Sequence, residues 1–244
     1  MKIALAQTRP VKGDLLTNIG SHVYYVHQAA DQGADIIFFP ELSLTGYEPQ
    51  LAHVLATNQD NAHFDIFQEE ADRYNISICV GVPIKAEDGV GIGMIIFSPN
   101  APRQTYGKKY IHPDEEAYFV PGPNLPPLHI KGVVVALAIC YELSIDQHRK
   151  DALNASAELY IASVAKVTKG TAAAHEILSE MAREQGIITA MVNCVGPAAT
   201  GVTVGQSAVW NTSGDIVMIM DTEETGILYY DTESKECQIV RTAD

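Results

Sequence analysis

The sequence predicts an α/β protein, a four-layer α-β-β-α sandwich with two mixed β-sheets, formed by a single domain over residues 1–244. Short apolar strands alternate with helical stretches in both halves of the chain. Residues Val133–Ile139 form an unbroken aliphatic run, which is typical of a central strand covered on both faces. We identify no linker-like stretch between the two halves, so we expect one domain.

The first half begins with an apolar strand over Lys2–Gln7. A helix is predicted over residues 14–32, because its apolar residues recur at steps of three and four; these are Leu16, Ile19, Val23, Val26 and Ala30. Gly33 follows in a position suited to a helix C-cap. The remaining elements predicted in this half are a strand at 35–39, a helix over Asp65–Tyr74, and strands at 76–82, 92–97 and 103–106.

The second half repeats this alternation after the strand Val133–Ile139. Helices are predicted at 145–155 and at 171–185, where Gly186 ends the second one. The other predicted elements are strands at 158–163, 187–193, 207–211, 216–221 and 227–231. A turn at 212–215 joins two of these strands into a hairpin.

The composition excludes several classes of partner. Lys and Arg number 16 and Asp and Glu number 30, so the net charge is −14, whereas nucleic-acid-binding proteins carry basic patches. The longest apolar run, residues 133–140, is far shorter than the ~18 residues of a membrane span. The N-terminal apolar stretch is too short for a signal peptide. We therefore expect a cytoplasmic protein that binds neither nucleic acid nor membranes.

The four cysteines form no Cys-x-x-Cys pair, and the eight histidines are scattered. Neither pattern has the clustered ligands of a metal site, so no metal is expected. The glycine-rich residues 89–93 are not followed by a helical pattern, which argues against a dinucleotide site. No cofactor is expected either.

Two reactive residue types directly follow predicted strands. Glu41 follows the strand at 35–39, and Cys140 follows Val133–Ile139. Sites in α/β sheets form at the carboxyl ends of strands. A cysteine nucleophile needs a base to remove its proton, and a nearby cation stabilises an oxyanion. The polar stretch 106–122 offers Lys108 or Lys109 as that cation, but spacing alone does not show that these residues converge.

Three motifs carry a resemblance to a known family. They are Phe-Pro-Glu-Leu-Ser-Leu-Thr-Gly-Tyr at 39–47, Tyr-Gly-Lys with Asp-Glu and Tyr-Phe-Val-Pro-Gly within 106–122, and Ala-Ile-Cys-Tyr-Glu-Leu at 138–143. In this order they resemble the nitrilase superfamily of carbon–nitrogen hydrolases, and the surroundings of Cys140 resemble its amidase-like branches. Further matches lie at 191–196 and 205–216.

The resemblance implies a role for each matching residue. Glu41 corresponds to the family's base and Cys140 to its nucleophile. Lys108, rather than Lys109, follows Tyr-x and precedes Pro-Gly at the family's interval, which makes Glu115 the second glutamate, expected to orient the lysine. By the same analogy the substrate pocket is bordered by Tyr47, Tyr141, Glu142 and Ala165 within 164–166. The family usually has Asp where this chain has Glu142, so the substrate is left open.

The expected function is hydrolysis of a small linear amide to a carboxylate and ammonia through a Cys140 thioester. A homodimer is also expected from the resemblance. Alternatives within the family are an N-carbamoyl amine amidohydrolase and a nitrilase. Two alternatives lie outside it: an amidotransferase using Cys140, His175 and Glu176, and a scaffold without turnover. The missing glycines beside Cys140 argue against the amidotransferase, and the complete Glu-Lys-Cys set argues against the scaffold.

Overall fold

The computed structural model describes residues 1–242. Its first half contains, in chain order, β1 (Lys2–Gln7), α1 (Leu15–Asp31), β2 (Ile36–Phe38), α2 (Ala52–Leu55), α3 (Asp65–Tyr74), β3 (Ser77–Ala86), β4 (Gly89–Phe97) and β5 (Gln104–Gly107). The second half contains β6 (Leu128–Ile130), β7 (Val133–Ile139), α4 (Asp146–Asn154), β8 (Leu159–Ser163), α5 (Thr168–Gln185), β9 (Ile188–Val192), β10 (Val195–Ala198), β11 (Gly201–Val204), β12 (Ala208–Trp210), β13 (Ile216–Ile219), β14 (Gly226–Asp231) and β15 (Cys237–Arg241). Short 3₁₀ helices lie at Pro113–Glu115 and Cys140–Ser144, among other places.

Most strands belong to two large mixed sheets. One has seven strands in the order β15-β14-β1-β2-β3-β4-β5, and the other has six in the order β13-β12-β9-β8-β7-β6. The centre of each sheet is parallel, since β1, β2 and β3 run together, as do β7, β8 and β9. The flanking pairs are antiparallel. Strands β10 and β11 form a separate hairpin.

The alternation of side chains along each central strand produces four layers. Ile3 and Leu5 of β1 share one buried cluster with Leu137 and Ile139 of β7, so this cluster fills the space between the two sheets. The intervening residues of β1, Ala4 and Ala6, pack with α1 and α3, whereas those of β7 pack with α4 and α5. A strand buried on both faces needs apolar residues at every position, which explains the continuous aliphatic run of β7.

The predicted fold class is confirmed: the chain forms an α-β-β-α sandwich with two mixed sheets. Helix α5 begins three residues earlier than predicted, at Thr168, and ends at Gly186, which has a left-handed backbone. The glycine-rich residues 89–93 lie in β4, which pairs with β3 along its full length. Helix α2 and the short strands β6, β10, β11 and β15 were not predicted, because they lack a sustained apolar pattern. No helix within residues 1–242 has the length and hydropathy needed to cross a membrane.

Candidate active site

The carboxyl ends of strands from both sheets meet at one place. Ser163, the last residue of β8, donates a hydrogen bond from Oγ to the carbonyl of Phe39 at 2.7 Å. Phe39 directly follows β2 in the other sheet, two residues before Glu41. Ile139 pairs with Ser163, so Cys140 leaves β7 beside the same point. The convergence that spacing alone left open is therefore present in the structure.

Glu41 is positioned where the backbone of residues 40–42 passes closely over Gly81 of β3. A Cβ added to Gly81 would lie 2.5 Å from the carbonyl oxygen of Pro40 and from the nitrogen of Leu42, so only glycine fits there. Leu42 itself has a φ of +52°. Ser43 secures the turn, because its Oγ accepts from the Gly81 N–H at 3.3 Å and lies 2.9 Å from Nε2 of the buried His22.

Lys108 is positioned where the backbone at Gly107 crosses closely over the backbone at Gly122. Gly107 and Gly122 face each other so tightly that a Cβ on either would lie 2.9 Å from the other residue's Cα. The Gly122 N–H donates to the Lys108 carbonyl at 2.8 Å. This crossing accounts for the glycines in the Tyr-Gly-Lys and Pro-Gly motifs. The side chain of Lys108 is 0% exposed.

The Lys108 ammonium lies between two carboxylates. Its Nζ donates to Glu41 Oε1 at 2.8 Å and to both oxygens of Glu115 at 2.9 and 2.7 Å. Glu115 is held in turn by the Tyr47 hydroxyl at 2.7 Å and by the backbone N–H of His112 at 2.9 Å. These bonds fix the lysine head group in a water-free position, where charge-assisted hydrogen bonds are strong.

Cys140 occupies a strained turn directly after β7. Its φ is +47°, a left-handed conformation that is uncommon for residues other than glycine, and it begins the 3₁₀ helix Cys140–Ser144. Strain of this kind persists only where the surrounding structure enforces it. Glu142 does so, because its Oε2 accepts from the backbone N–H of Ile139 at 2.8 Å and its Oε1 accepts from that of Lys109 at 2.7 Å.

The pKa values of Glu41 and Glu115 are shifted in opposite directions. Burial raises the pKa of Glu41, and the nearby charge of Lys108 only partly opposes this rise. Burial also acts to raise the pKa of Glu115, but Lys108 and hydrogen bonds from Lys108, Tyr47 and His112 outweigh it and lower the pKa. For Lys108, burial would lower the pKa, yet the neighbouring negative charges raise it. Glu41 is therefore the carboxylate that takes a proton more readily.

The thiol of Cys140 lies beside Glu41. Burial and the Glu41 charge raise the pKa of this thiol to about 11, and the positive charges of Lys166 and Lys108 oppose the rise. Oε2 of Glu41 is buried and, within residues 1–242, has no hydrogen-bond partner. A buried acceptor without a partner carries a free-energy cost, which makes it a strong proton acceptor. The arrangement thus combines a thiol, a base with a free oxygen and a fixed cation.

Comparison with known proteins identifies the family of this chain. Residues 2–242 match the family described as Carbon-nitrogen hydrolase. The chain belongs to this family. Its membership of the nitrilase superfamily, predicted from three motifs, is confirmed.

Individual relatives of this chain include both larger enzymes and amidases. The glutamine-dependent NAD(+) synthetase of Xylella fastidiosa is 31% identical over 227 residues, which cover 88% of this chain. The chain spans only 41% of that synthetase's length. The (R)-stereoselective amidase of Pseudomonas sp is 24% identical over 204 residues, covering 83% of this chain and 74% of the amidase.

Solved structures show the same similarity. A cysteine-to-alanine mutant of the amidase from Nesterenkonia sp. AN1, in complex with butyramide, has a TM-score of 0.86 at 26% identity, covering 96% of this chain and 92% of the amidase. A further structure of that amidase shows the Michael addition of acrylamide at its active-site cysteine; its TM-score is 0.85 at 26% identity, covering 96% of this chain and 94% of the amidase. Both resemble this chain along nearly its whole length.

The four residues expected to border a substrate pocket differ in burial and in hydrogen bonding. Tyr47 is half-buried, with its hydroxyl on Glu115. Tyr141 is half-buried and meets the His112 ring edge-to-face at 4.9 Å between centroids. Ala165 is buried just after β8. Glu142 differs from expectation: it is fully enclosed, and Tyr106, Ile139, Lys109 and Asn124 satisfy its oxygens.

Residues of the competing amidotransferase hypothesis are engaged elsewhere. Nε2 of His175 donates to the carbonyl of Gln206 at 3.0 Å, and its ring packs against Trp210. Glu176 is exposed on α5.

Lys109, the alternative lysine, has an exposed side chain. No set of three or more His, Cys, Asp or Glu side chains converges as a metal site within the described residues.

Several residues that shape the site were given no role from the sequence, although Tyr106 and Asn193 lie within motifs that match the family. Ser163 joins the two sheets, His22 supports the turn after Glu41, and Tyr106 donates to Glu142 at 2.8 Å. Asn193 holds the chain after β8, because its Oδ1 accepts from the Lys166 N–H at 2.9 Å. The one available signal was the position of Ser163 and Asn193, each a polar residue at the end of a buried strand.

Proposed function

We propose that the protein hydrolyses small linear amides to a carboxylate and ammonia through a thioester on Cys140. The observation that carries this proposal is the cluster of Glu41, Lys108 and Glu115 beside the Cys140 thiol, in a chain that belongs to the carbon–nitrogen hydrolases. The buried free oxygen of Glu41 supplies the base that a thiol of raised pKa requires.

In the first half-reaction, Glu41 takes the proton of the Cys140 thiol and the thiolate attacks the amide carbon. The carbonyl becomes an oxyanion, which the Lys108 ammonium and the backbone N–H of Tyr141 stabilise. Lys108 is free to turn towards it because Glu41 loses its negative charge on protonation, which weakens the bond between them. Donors aimed at an oxyanion are each worth about 2.7–4 kcal/mol.

In the remaining steps the C–N bond breaks, and Glu41 delivers its proton to the departing ammonia. The acyl group is then held as a thioester on Cys140. Glu41, ionised again, removes a proton from water, which attacks the thioester carbon. The intermediate expels the thiolate, which recovers a proton from Glu41, and the product acid leaves and ionises, its proton passing to ammonia in solution. Glu115 acts by orienting Lys108, since it binds the ammonium through both oxygens.

The choice of an amide over other C–N substrates is supported by the relatives. The Nesterenkonia amidase is a structural neighbour in complex with butyramide, and the Pseudomonas relative is an amidase. The NAD(+) synthetases are glutamine-dependent, which makes L-glutamine a candidate amide as well. N-carbamoyl amines and nitriles are the alternatives within the family.

The test measures ammonia release from linear amides, L-glutamine, N-carbamoyl amines and nitriles. We expect turnover of amides by the wild type, loss of turnover in Cys140→Ala, and an acyl mass on Cys140 after acid quenching. Cys237→Ala is the matched control, because it removes a half-buried thiol from β15. Full activity in Cys140→Ala would contradict the thioester mechanism.

Two further variants separate the remaining alternatives. Lys108→Ala is expected to abolish turnover and His175→Ala to retain it; the reverse pattern would favour the amidotransferase. A wild type that neither releases ammonia from any of these compounds nor acquires an acyl mass would support the scaffold interpretation instead.

A further inference from the structure

Lys166 lies at the edge of the proposed active site, between β8 and α5. Its backbone is fixed: the N–H donates to Asn193 Oδ1 at 2.9 Å, and the carbonyl accepts from Asn193 Nδ2 at 3.1 Å and from the Val204 N–H at 3.3 Å. The aliphatic part of its side chain lies against Gly170, where an added Cβ would come within 3.6 Å of it. The position of this residue is therefore determined by the fold.

The ammonium group of Lys166 differs from the other shielded cations of this chain. Within residues 1–242, the other basic residues that are buried or half-buried place their cationic groups on protein oxygens: Lys2 on the Gln32 carbonyl, Arg103 on Asp65, Lys108 on Glu41 and Glu115, and Arg149 on Asp146. Lys166 is half-buried and contacts no oxygen of the described residues through its ammonium. Partial burial of the Lys166 side chain without a partner for its charge is unfavourable. In a chain with 30 acidic and 16 basic residues, this absence of a carboxylate is notable.

The charge of Lys166 acts on the reacting sulfur. Burial is the largest influence on the pKa of Cys140 and raises it, while Lys166 opposes that rise together with Lys108. Lys166 follows the end of β8 by three residues, and Ser163 at that end pairs with Ile139, the residue before Cys140, so both residues lie at the same edge of the sheet. Lys108, however, is already bound to two carboxylates. Lys166 is thus the cation at this site that is available to a ligand.

Resting on the proposed function, we propose that Lys166 selects amides that carry a carboxylate at the far end of the acyl chain. The ammonium binds that carboxylate while the amide group lies against Cys140 and Lys108. A half-buried ion pair with a ligand offsets the cost of the unpaired cation. It also opposes the repulsion that an anionic substrate meets from Glu41 and Glu115.

The test compares three amides of matched length: glutaramate with a terminal carboxylate, valeramide with a methyl group in its place, and γ-aminobutyramide with an ammonium group. Each is assayed with the wild type, Lys166→Met and Lys166→Glu. Lys169→Met is the matched control, because Lys169 is an exposed lysine on the adjacent first turn of α5. Binding of glutaramate and valeramide to Cys140→Ala provides a readout without turnover.

We expect the wild type to prefer glutaramate over valeramide by about tenfold to hundredfold in kcat/KM, as for a charge-assisted bond. Lys166→Met should reduce this ratio to near one, chiefly by raising KM for glutaramate, and Lys166→Glu should favour γ-aminobutyramide. Lys169→Met should keep the wild-type ratio. In Cys140→Ala the same preference should appear as tighter binding of glutaramate.

Two results would overturn the inference while leaving the proposed function intact. One is hydrolysis of valeramide by the wild type with no preference for glutaramate. The other is an equal fall for both substrates in Lys166→Met, which would mean that Lys166 acts on the thiol or on the fold. If the wild type hydrolysed no amide and acquired no acyl mass on Cys140, the proposed function would fail and this inference with it.

Discussion

At the scale of single residues, the chemistry of Glu41 depends on its immediate surroundings. Both Glu41 and Glu115 bind the same ammonium, yet Glu115 accepts additional bonds from Tyr47 and from the His112 N–H. Glu41 instead keeps Oε2 buried without a partner among the described residues. Burial acts to raise the pKa of both side chains and prevails at Glu41, whereas at Glu115 the charge of Lys108 and the hydrogen bonds outweigh it. This difference points to Glu41 as the proton carrier and Glu115 as the anchor of Lys108.

The pH dependence of activity follows from the raised pKa of Glu41. A general base works only when ionised, so kcat/KM should fall as the pH drops through the pKa of Glu41, which lies above its ordinary value of 4.5. Because the pKa of Cys140 is about 11, ionisation of the thiol adds no second change in rate near neutral pH. Ammonia release measured across pH should therefore show a single acidic limb above pH 4.5. A rate that stayed constant down to pH 4.5 would contradict the role of Glu41.

At the scale of elements, the turn Cys140–Ser144 is held by Glu142, the residue two positions after Cys140. Glu142 is fully buried and joins this turn to the chain at Lys109, directly after Lys108. Its Oε2 also accepts from Tyr106, whose hydroxyl lies 2.9 Å from His148 Nε2. One carboxylate thus sets the relative positions of the cation and the nucleophile.

Replacing Glu142 should affect both stability and rate. In Glu142→Gln the side chain keeps its size, but the charge is lost and an amide NH₂ faces N–H donors. We expect the free energy of unfolding to fall by about 1.5–3 kcal/mol, the worth of a hydrogen bond to a charged group. We also expect kcat to fall more than KM rises, since Cys140 is misplaced while the pocket remains. Urea unfolding and steady-state kinetics measure these effects.

Glu116→Gln is the control for that variant, because Glu116 is an exposed glutamate next to Glu115. It should match the wild type in both measurements. Wild-type stability and kcat in Glu142→Gln would show that the turn does not depend on this carboxylate.

At the scale of the whole molecule, polar bonds fix how the two sheets stack. Gln7, at the end of β1, is fully buried. Its Oε1 accepts from the N–H and Oγ of Ser207, next to β12 in the other sheet, at 3.0 and 2.9 Å. Its Nε2 donates to the carbonyls of Asp221 and Glu224 at 2.8 Å. Apolar packing between sheets is not directional, so such bonds specify the alignment on which the site depends.

Removing the amide of Gln7 should therefore destabilise the protein. Gln7→Leu leaves buried donors and acceptors on Ser207 and on the two carbonyls without partners, and each such group costs about 1–3 kcal/mol. We expect the free energy of unfolding, measured with urea, to fall by at least about 2 kcal/mol. Gln104→Leu, at an exposed position of the edge strand β5, serves as the control. Equal stability of the two variants would refute this role of Gln7.

The sequence by itself determined the fold class, the family and the order of the reactive residues. The aliphatic run of β7 and the stripe of α1 are local patterns, and local patterns follow from the burial of apolar side chains. Reactive residues directly after strands indicated Glu41 and Cys140, because strand ends meet at one edge of a sheet. The choice of Lys108 over Lys109 came from the family resemblance, and the structure buries the first and exposes the second.

Only the tertiary structure decided how these residues are bound. Lys108 bonds to a carboxylate 67 positions away, and Gln7 bonds to a residue 200 positions away. Contacts over such separations depend on how the two sheets stack, and no local pattern records that. For the same reason Glu142 is fully enclosed by protein groups, Cys140 takes a left-handed backbone without a glycine, and the ammonium of Lys166 has no carboxylate partner among the described residues.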